Sequence, residues 1–164
     1  MAEVDLHLHT NQSDGRLMPA ELIALVAARG LKVVAVTDHD ITDGLESAMA
    51  AAAAHPQLTI IPGVELSTDI PGNEVHILGY YIRYEDPSFQ ATLARFRDDR
   101  VGRAQEMVRR LAEMGMPLEW ERVREIAGEG AIGRPHVAQA LIEKGYVTGR
   151  QEAFDKYLGR NGPA

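Results

Sequence analysis

Between Val4 and Ile82 the chain alternates short strand-like runs with helical stretches, and this alternation constrains its fold more than any other feature. Val4 to Leu8 reads as a strand, and Pro19 to Arg29 as a helix with proline in its first turn and Gly30 as its stop. Val33 to Thr37 is an unbroken run of the buried parallel type. Leu45 to Ala54 is an alanine-rich helix for which Thr42 or Asp43 is the expected cap. Leu58 to Ile61 and Val64 to Ser67 are strand-like on either side of Pro62-Gly63, and Val75 to Ile82 is a further strand. Strand, helix, strand, helix, strand implies right-handed crossovers and a parallel sheet or barrel.

The pattern changes at Asp86-Pro87. Ser88 to Met114 is helical in period, with Phe89, Leu93, Phe96, Val101, Met107, Val108 and Leu111 forming an interrupted apolar stripe. Gly115 and Pro117 end it, and shorter helices are predicted at Trp120 to Ala127, Val137 to Glu143 and Gln151 to Leu158. The 164 residues, 45% of them hydrophobic, suffice for a core of ordinary size.

The chemistry gathers at predicted strand ends. In Val4-Asp5-Leu6-His7-Leu8-His9-Thr10, strand alternation sends His7 and His9 to one face, where two imidazoles can share a metal. Taken alone, such a pair equally describes surface or core histidines. Asp14, in the loop Ser13-Asp14-Gly15, is placed to fold back over the strand end, although a lone loop aspartate is as often a turn residue. The second strand ends Val36-Thr37-Asp38-His39-Asp40, with His39 the ligand candidate. Asp38 and Asp40 are expected both to orient imidazoles and to cap the next helix. Glu65, isolated among apolar residues in Gly63-Val64-Glu65-Leu66-Ser67, reads as an inward charge in need of a cationic partner. His76 adds an imidazole to a strand, where a hydrogen-bonded core histidine is the default reading. A barrel brings all these ends to one mouth, which favours shared metals over coincidence, with Glu65 as the natural bridge.

With no cysteine, a metal here is held by imidazole nitrogen and carboxylate oxygen, a donor set suited to Mn²⁺, Zn²⁺ or Fe²⁺. The absence of cysteine, of a signal-like N-terminus and of any long apolar run leads to the expectation of a cytoplasmic chain with no membrane partner. Twenty-four acidic against 17 basic residues, a net charge of -7, disfavour binding to duplex nucleic acid but not to a small phosphate ester. Pro135 in a helix first turn sets Arg134 and His136 beside free amides that favour anions; the alternative is a plain helix cap with a solvated arginine. His55 has no such context and is assigned to the surface.

Asp-Leu-His-Leu-His-Thr, Ser-Asp-Gly, Thr-Asp-His-Asp and Gly-Val-Glu-Leu-Ser, in this order, resemble the first motifs of the PHP family, the polymerase and histidinol phosphatase domains. Through Gly133-Arg134-Pro135-His136-Val137-Ala138 and Phe154-Asp155-Lys156-Tyr157-Leu158 the chain is similar to the stand-alone phosphoesterase branch acting on nucleoside 3′,5′-bisphosphates or short oligonucleotides. The resemblance implies an α/β fold, a distorted (βα)7 barrel, with residues 1–86 its N-terminal part and 87–164 an inserted helical subdomain. It implies His7, His9, Asp14, His39, Glu65 and His76 as ligands of two or three divalent ions, and Glu65, His39 and Asp14 as the catalytic set. Arg134 and His136 would hold substrate phosphate, and the reaction would be phosphoester hydrolysis by a metal-activated hydroxide. The family continues with further ligand-bearing strands, whereas this chain ends Gly159-Arg160-Asn161-Gly162-Pro163-Ala164, so only the N-terminal part of a barrel is expected here. Two rival readings are an amidohydrolase, which shares the opening His-x-His strand, and a non-catalytic PHP module.

Overall fold

The strand-like runs are strands in the computed structural model, which describes residues 3–70, 73–159 and 162–164. Arg160 and Asn161 of the terminal segment lie outside the described residues. The strands are β1 (Val4–Leu8), β2 (Val33–Val36), β3 (Thr59–Ile70) and β4 (Asn73–Tyr80), adjacent in that order in one sheet. β1, β2 and β3 are parallel, and α1 (Pro19–Ala28) and α2 (Gly44–Ala52) make the crossovers. Both helices enter one apolar cluster, where Leu22, Ile23 and Val26 of α1 and Leu45 and Ala48 of α2 meet Val34 and Val36 of β2. Spatial order that follows chain order, with both helices on one face, is winding in a single direction. This mixed α/β arrangement leaves the C-terminal strand ends along a common edge.

Three sequence expectations change at β3 and beyond. Leu58 to Ile61 and Val64 to Ser67 belong to one strand, because Pro62 stands where pairing with β2 ends and pairing with β4 begins, at Gly63, so its missing N–H interrupts neither ladder. β4 is antiparallel to β3, since the two residues between Ile70 and Asn73 are far too few for a parallel crossover. The cap expected from Thr42 or Asp43 is absent: α2 has no side-chain cap bond, and the Thr42 hydroxyl instead accepts from Gln90 Nε2 at 2.7 Å.

The sheet curls. β1 and β4 stand at opposite ends of the strand order, about 14 Å apart in a flat sheet, a gap wider than a tyrosine side chain. Yet the Tyr80 hydroxyl donates to the Leu6 carbonyl at 3.0 Å.

By its contacts the chain divides into residues 1–96 and 97–164, with α3 (Pro87–Glu113) running through the division. The second unit adds α4 (Trp120–Ala127), α5 (Arg134–Glu143) and α6 (Arg150–Ala153) around Leu111, Val123, Val137, Leu141 and Leu158. The helix expected from Gln151 to Leu158 divides into α6 and a π-helical turn, Phe154–Leu158. No helix among the described residues is long and apolar enough to cross a membrane.

A Cβ at Gly63 would lie 2.8 Å from Thr37 Cγ2 and 2.9 Å from the Gly79 carbonyl oxygen, so only glycine fits between β2 and β4. Gly63→Ala is expected to lower stability by about 2 kcal/mol through overpacking, measured by thermal denaturation followed by circular dichroism. An unchanged melting temperature would show that the strands can part freely at this point.

Candidate metal centre

The strand ends that sequence reasoning singled out do meet, and they meet on Glu65. Beyond β2 the backbone makes one further parallel bridge, with the Glu65 amide donating to Asp38 O and the Asp40 amide to Glu65 O, which sets His39 directly beside Glu65. Alternation along β1 points His7 toward the same place, and His9 follows one residue beyond the strand. Their rings lie 5.0 Å apart, and those of His9 and His39 4.7 Å apart.

Four imidazoles surround one carboxylate that is only 3% exposed. His7 Nε2 and His9 Nε2 lie 2.7 and 3.1 Å from Glu65 Oε2, and His39 Nδ1 lies 3.5 Å from the same oxygen. His76 Nδ1 takes the other oxygen, Oε1, at 2.5 Å. His76 arrives differently from the expectation of a parallel strand end. It lies within the antiparallel β4, opposite Ser67, and reaches diagonally to Glu65 on the face the two strands share. Asp14 closes the opposite side, 3.4 Å from His9 Nδ1 and 3.8 Å from His39 Nε2.

No side-chain bond caps α2, so Asp38 and Asp40 do not serve it as caps. Asp38 is buried and accepts three bonds, from the Thr10 amide and hydroxyl at 2.7 Å each and from the Ser13 hydroxyl at 2.6 Å. Ser13 Oγ also lies 3.3 Å from His9 Nδ1. Since Ser13 gives its proton to Asp38, it receives from Nδ1–H, and the ring meets Glu65 through Nε2, where the protonated form donates. Asp38 therefore orients His9 through an intervening hydroxyl. Asp40, fully buried with φ of 54°, accepts from the Ser67 amide at 3.0 Å and fixes β3 just past Glu65. Ser13, Thr10 and Ser67 carry no sequence signal of this kind; only the fold makes them partners.

The electrostatics follow from the crowding. Burial opposes ionisation of Glu65, but hydrogen bonds from His9, His7 and His76 and the charge of His39 outweigh it, so the carboxyl sits well below the usual carboxylate range. Burial likewise opposes the charge on His9, yet its bond to Glu65 and the field of Asp14 raise its pKa. Burial pushes Asp38 upward, and the Ser13 and Thr10 bonds only partly offset it.

Nitrogen and carboxylate oxygen without sulfur is the donor set of a divalent transition metal. Three groups have donor atoms within 4.8 Å of one another: His7, His9 and Glu65; His9, Asp14 and His39; and His39, Glu65 and His76. The residues fit a metal centre. Arg134 and His136 belong to the second unit. Arg134 opens α5, and the buried His136 accepts the Gly133 amide on Nδ1 at 3.0 Å, which leaves its ring proton on Nε2 as a donor.

Comparison with known proteins yields matches to proteins named for phosphoester chemistry. The PHP domain family model matches residues 5–100. A 3′,5′-nucleoside bisphosphate phosphatase of Chromobacterium violaceum is 38% identical over 159 residues, covering 96% of this chain and 55% of the relative. The 5′-3′ exoribonuclease Rnm of Escherichia coli is 36% identical over 157 residues, covering 95% and 54%. A Chromobacterium violaceum structure named as an amidohydrolase, with bound sulfate, superposes with a TM-score of 0.87 at 36% identity, covering 98% of this chain and 57% of that one. A Bifidobacterium adolescentis protein assigned as a metal-dependent phosphoesterase gives 0.84 at 31% identity, covering 94% and 54%. The chain spans about half the length of the curated relatives it matches.

Glu65 and His9, two of the three shifted groups of the centre, are stabilised in their charged forms, and this shapes the pH response of the metal-free protein. Glu65, held below its ordinary 4.5, contributes stability that is complete above that value and lost as pH falls toward the folded pKa. His9, held above its ordinary 6.5, contributes stability that is complete below that value and lost as pH rises through the folded pKa. In chelator the melting temperature is therefore expected to peak at about pH 5 to 6 and to fall toward pH 8. A melting temperature still rising between pH 6 and 8 would contradict the coupling of these two groups.

Proposed function

The chain belongs to the PHP domain family, and we propose that its work is metal-dependent hydrolysis of a phosphoester. The observation that carries this reading is the buried Glu65 carboxylate, with His7 and His9 on one oxygen and His76 on the other. This division supports two ions, which His7, His9 and Glu65 and His39, Glu65 and His76 would hold; Asp14 with His9 and His39 supplies a further donor group that would suit a third. Mn²⁺, Zn²⁺ or Fe²⁺ there would polarise a phosphoryl oxygen and acidify water.

This chain's own residues do the rest. Glu65 stays ionised at neutral pH and anchors positive charge beneath the site. His39 lies between Glu65 and Asp14 and ties the two carboxylates together. His7 and His76, with side chains 48% and 34% exposed, are the open side from which a substrate would approach. Arg134, beside the free amides that begin α5, and His136, through its Nε2 proton, are suited to hold a phosphate.

The substrate we favour is a nucleotide phosphoester, of the 3′,5′-bisphosphate type or a short oligonucleotide. Its support is the two names found among the relatives, a nucleoside bisphosphate phosphatase and an exoribonuclease. We further read residues 1–86 as part of a seven-stranded barrel and 87–164 as its helical insertion, in a cytoplasmic setting that the cysteine-free sequence suits. Glu65 at the centre favours phosphoesterase over amidohydrolase chemistry, which typically bridges its metals with a lysine.

Phosphate release from adenosine 3′,5′-bisphosphate, measured with added Mn²⁺, tests this reading. Glu65→Gln, which keeps the side-chain shape, is expected to lower the rate by about a hundredfold or more. Equal rates from wild type and variant would defeat the proposal.

A further inference from the structure

The second unit carries a cavity of about 430 Å³, in the size range of small-molecule sites, which the metal centre does not use. One wall is a face of α3, where Arg97, Val101 and Gln105 recur at four-residue spacing. The other is α4, whose Trp120 and Arg124 are likewise four apart, and the buried Ile132 contributes apolar surface. Two guanidiniums, one indole and one carboxamide around apolar surface form an unusual set. Arginines hold phosphate, an indole stacks on a flat ring, and an amide offers both a donor and an acceptor to a polar edge.

We propose that this cavity binds a nucleotide, with its base against Trp120 and Gln105 and its phosphate between Arg97 and Arg124. Charge distribution supports an anionic occupant. Residues 97–164 hold 12 basic and 11 acidic side chains, whereas residues 1–96 hold 5 and 13, so the acidity of the chain lies wholly in the first unit. Arg124 pairs with Glu121 at 3.1 Å, but both side chains are well exposed, and a pair of that kind yields readily to a phosphate. A free mononucleotide and one residue of a single-stranded RNA present the same chemistry. The proposal deepens the reading of the substrate as a nucleotide, yet it is tested without hydrolysis, so the two can fail separately.

Trp120 is the only tryptophan of the chain, so its fluorescence reports on this cavity alone. The full chain in EDTA is titrated with AMP and with a 5′-phosphorylated triadenylate RNA, using excitation at the red edge of the indole band. Saturable quenching by at least one of them is expected, with ribose 5-phosphate giving none. Arg97→Ala and Arg124→Ala are each expected to weaken binding about tenfold while the helical circular dichroism is kept. Tighter binding of the RNA would identify a strand as the occupant; equal or tighter binding of AMP would identify the free nucleotide. Absence of saturable quenching by either ligand, or quenching undiminished in both arginine variants, would overturn the proposal.

Discussion

A carboxylate withdrawn from water costs several kcal/mol unless something answers its charge, and in this fold the answer to Glu65 comes from four histidines on three different segments. The demand shapes the surrounding backbone. β2 is prolonged by one bridge so that His39 lies beside Glu65, Asp40 takes a left-handed conformation to hold the Ser67 amide, and the sheet curls enough for β1 and β3 side chains to meet. Imidazoles around a carboxylate satisfy one another by protonation when no cation is bound. A divalent ion satisfies the same atoms with less proton uptake, which couples the folding of this unit to metal binding.

Much of the site is legible in the sequence because strand alternation is rigid. His7 and His9 share a face by period alone, and Glu65 stands out as a lone charge between the apolar Val64 and Leu66. Asp38 shows the limit of such reading. Its place beside His39 suggested direct contact with an imidazole, whereas its partners are Thr10 and Ser13, more than twenty residues away, and it reaches His9 only through a hydroxyl. A pairing that depends on how two loops pack leaves no mark in local spacing. His76 shows another limit: its contact with Glu65 depends on β4 turning back as a hairpin, and strand pattern does not encode direction.

The helical unit was legible as helices but not as chemistry. The interrupted apolar stripe of α3 accounts for Leu111 in the core, yet the same helical period spaces Arg97, Val101 and Gln105 along a cavity wall. Net charge for the whole chain conceals this difference, because the acidic first unit masks a nearly neutral second one. The PHP family match covers residues 5–100, and the chain spans about half the length of the curated relatives it matches.

Histidines that converge on Glu65 are placed to hold divalent metal. X-ray absorption at the zinc edge of the zinc-loaded full chain, after gel filtration to remove loosely held ion, reads the coordination directly. The expected spectrum is a shell of nitrogen and oxygen without sulfur, showing the outer-shell scattering of at least two imidazoles per ion. Zinc lost on the column, or an oxygen-only shell without imidazole scattering, would contradict it.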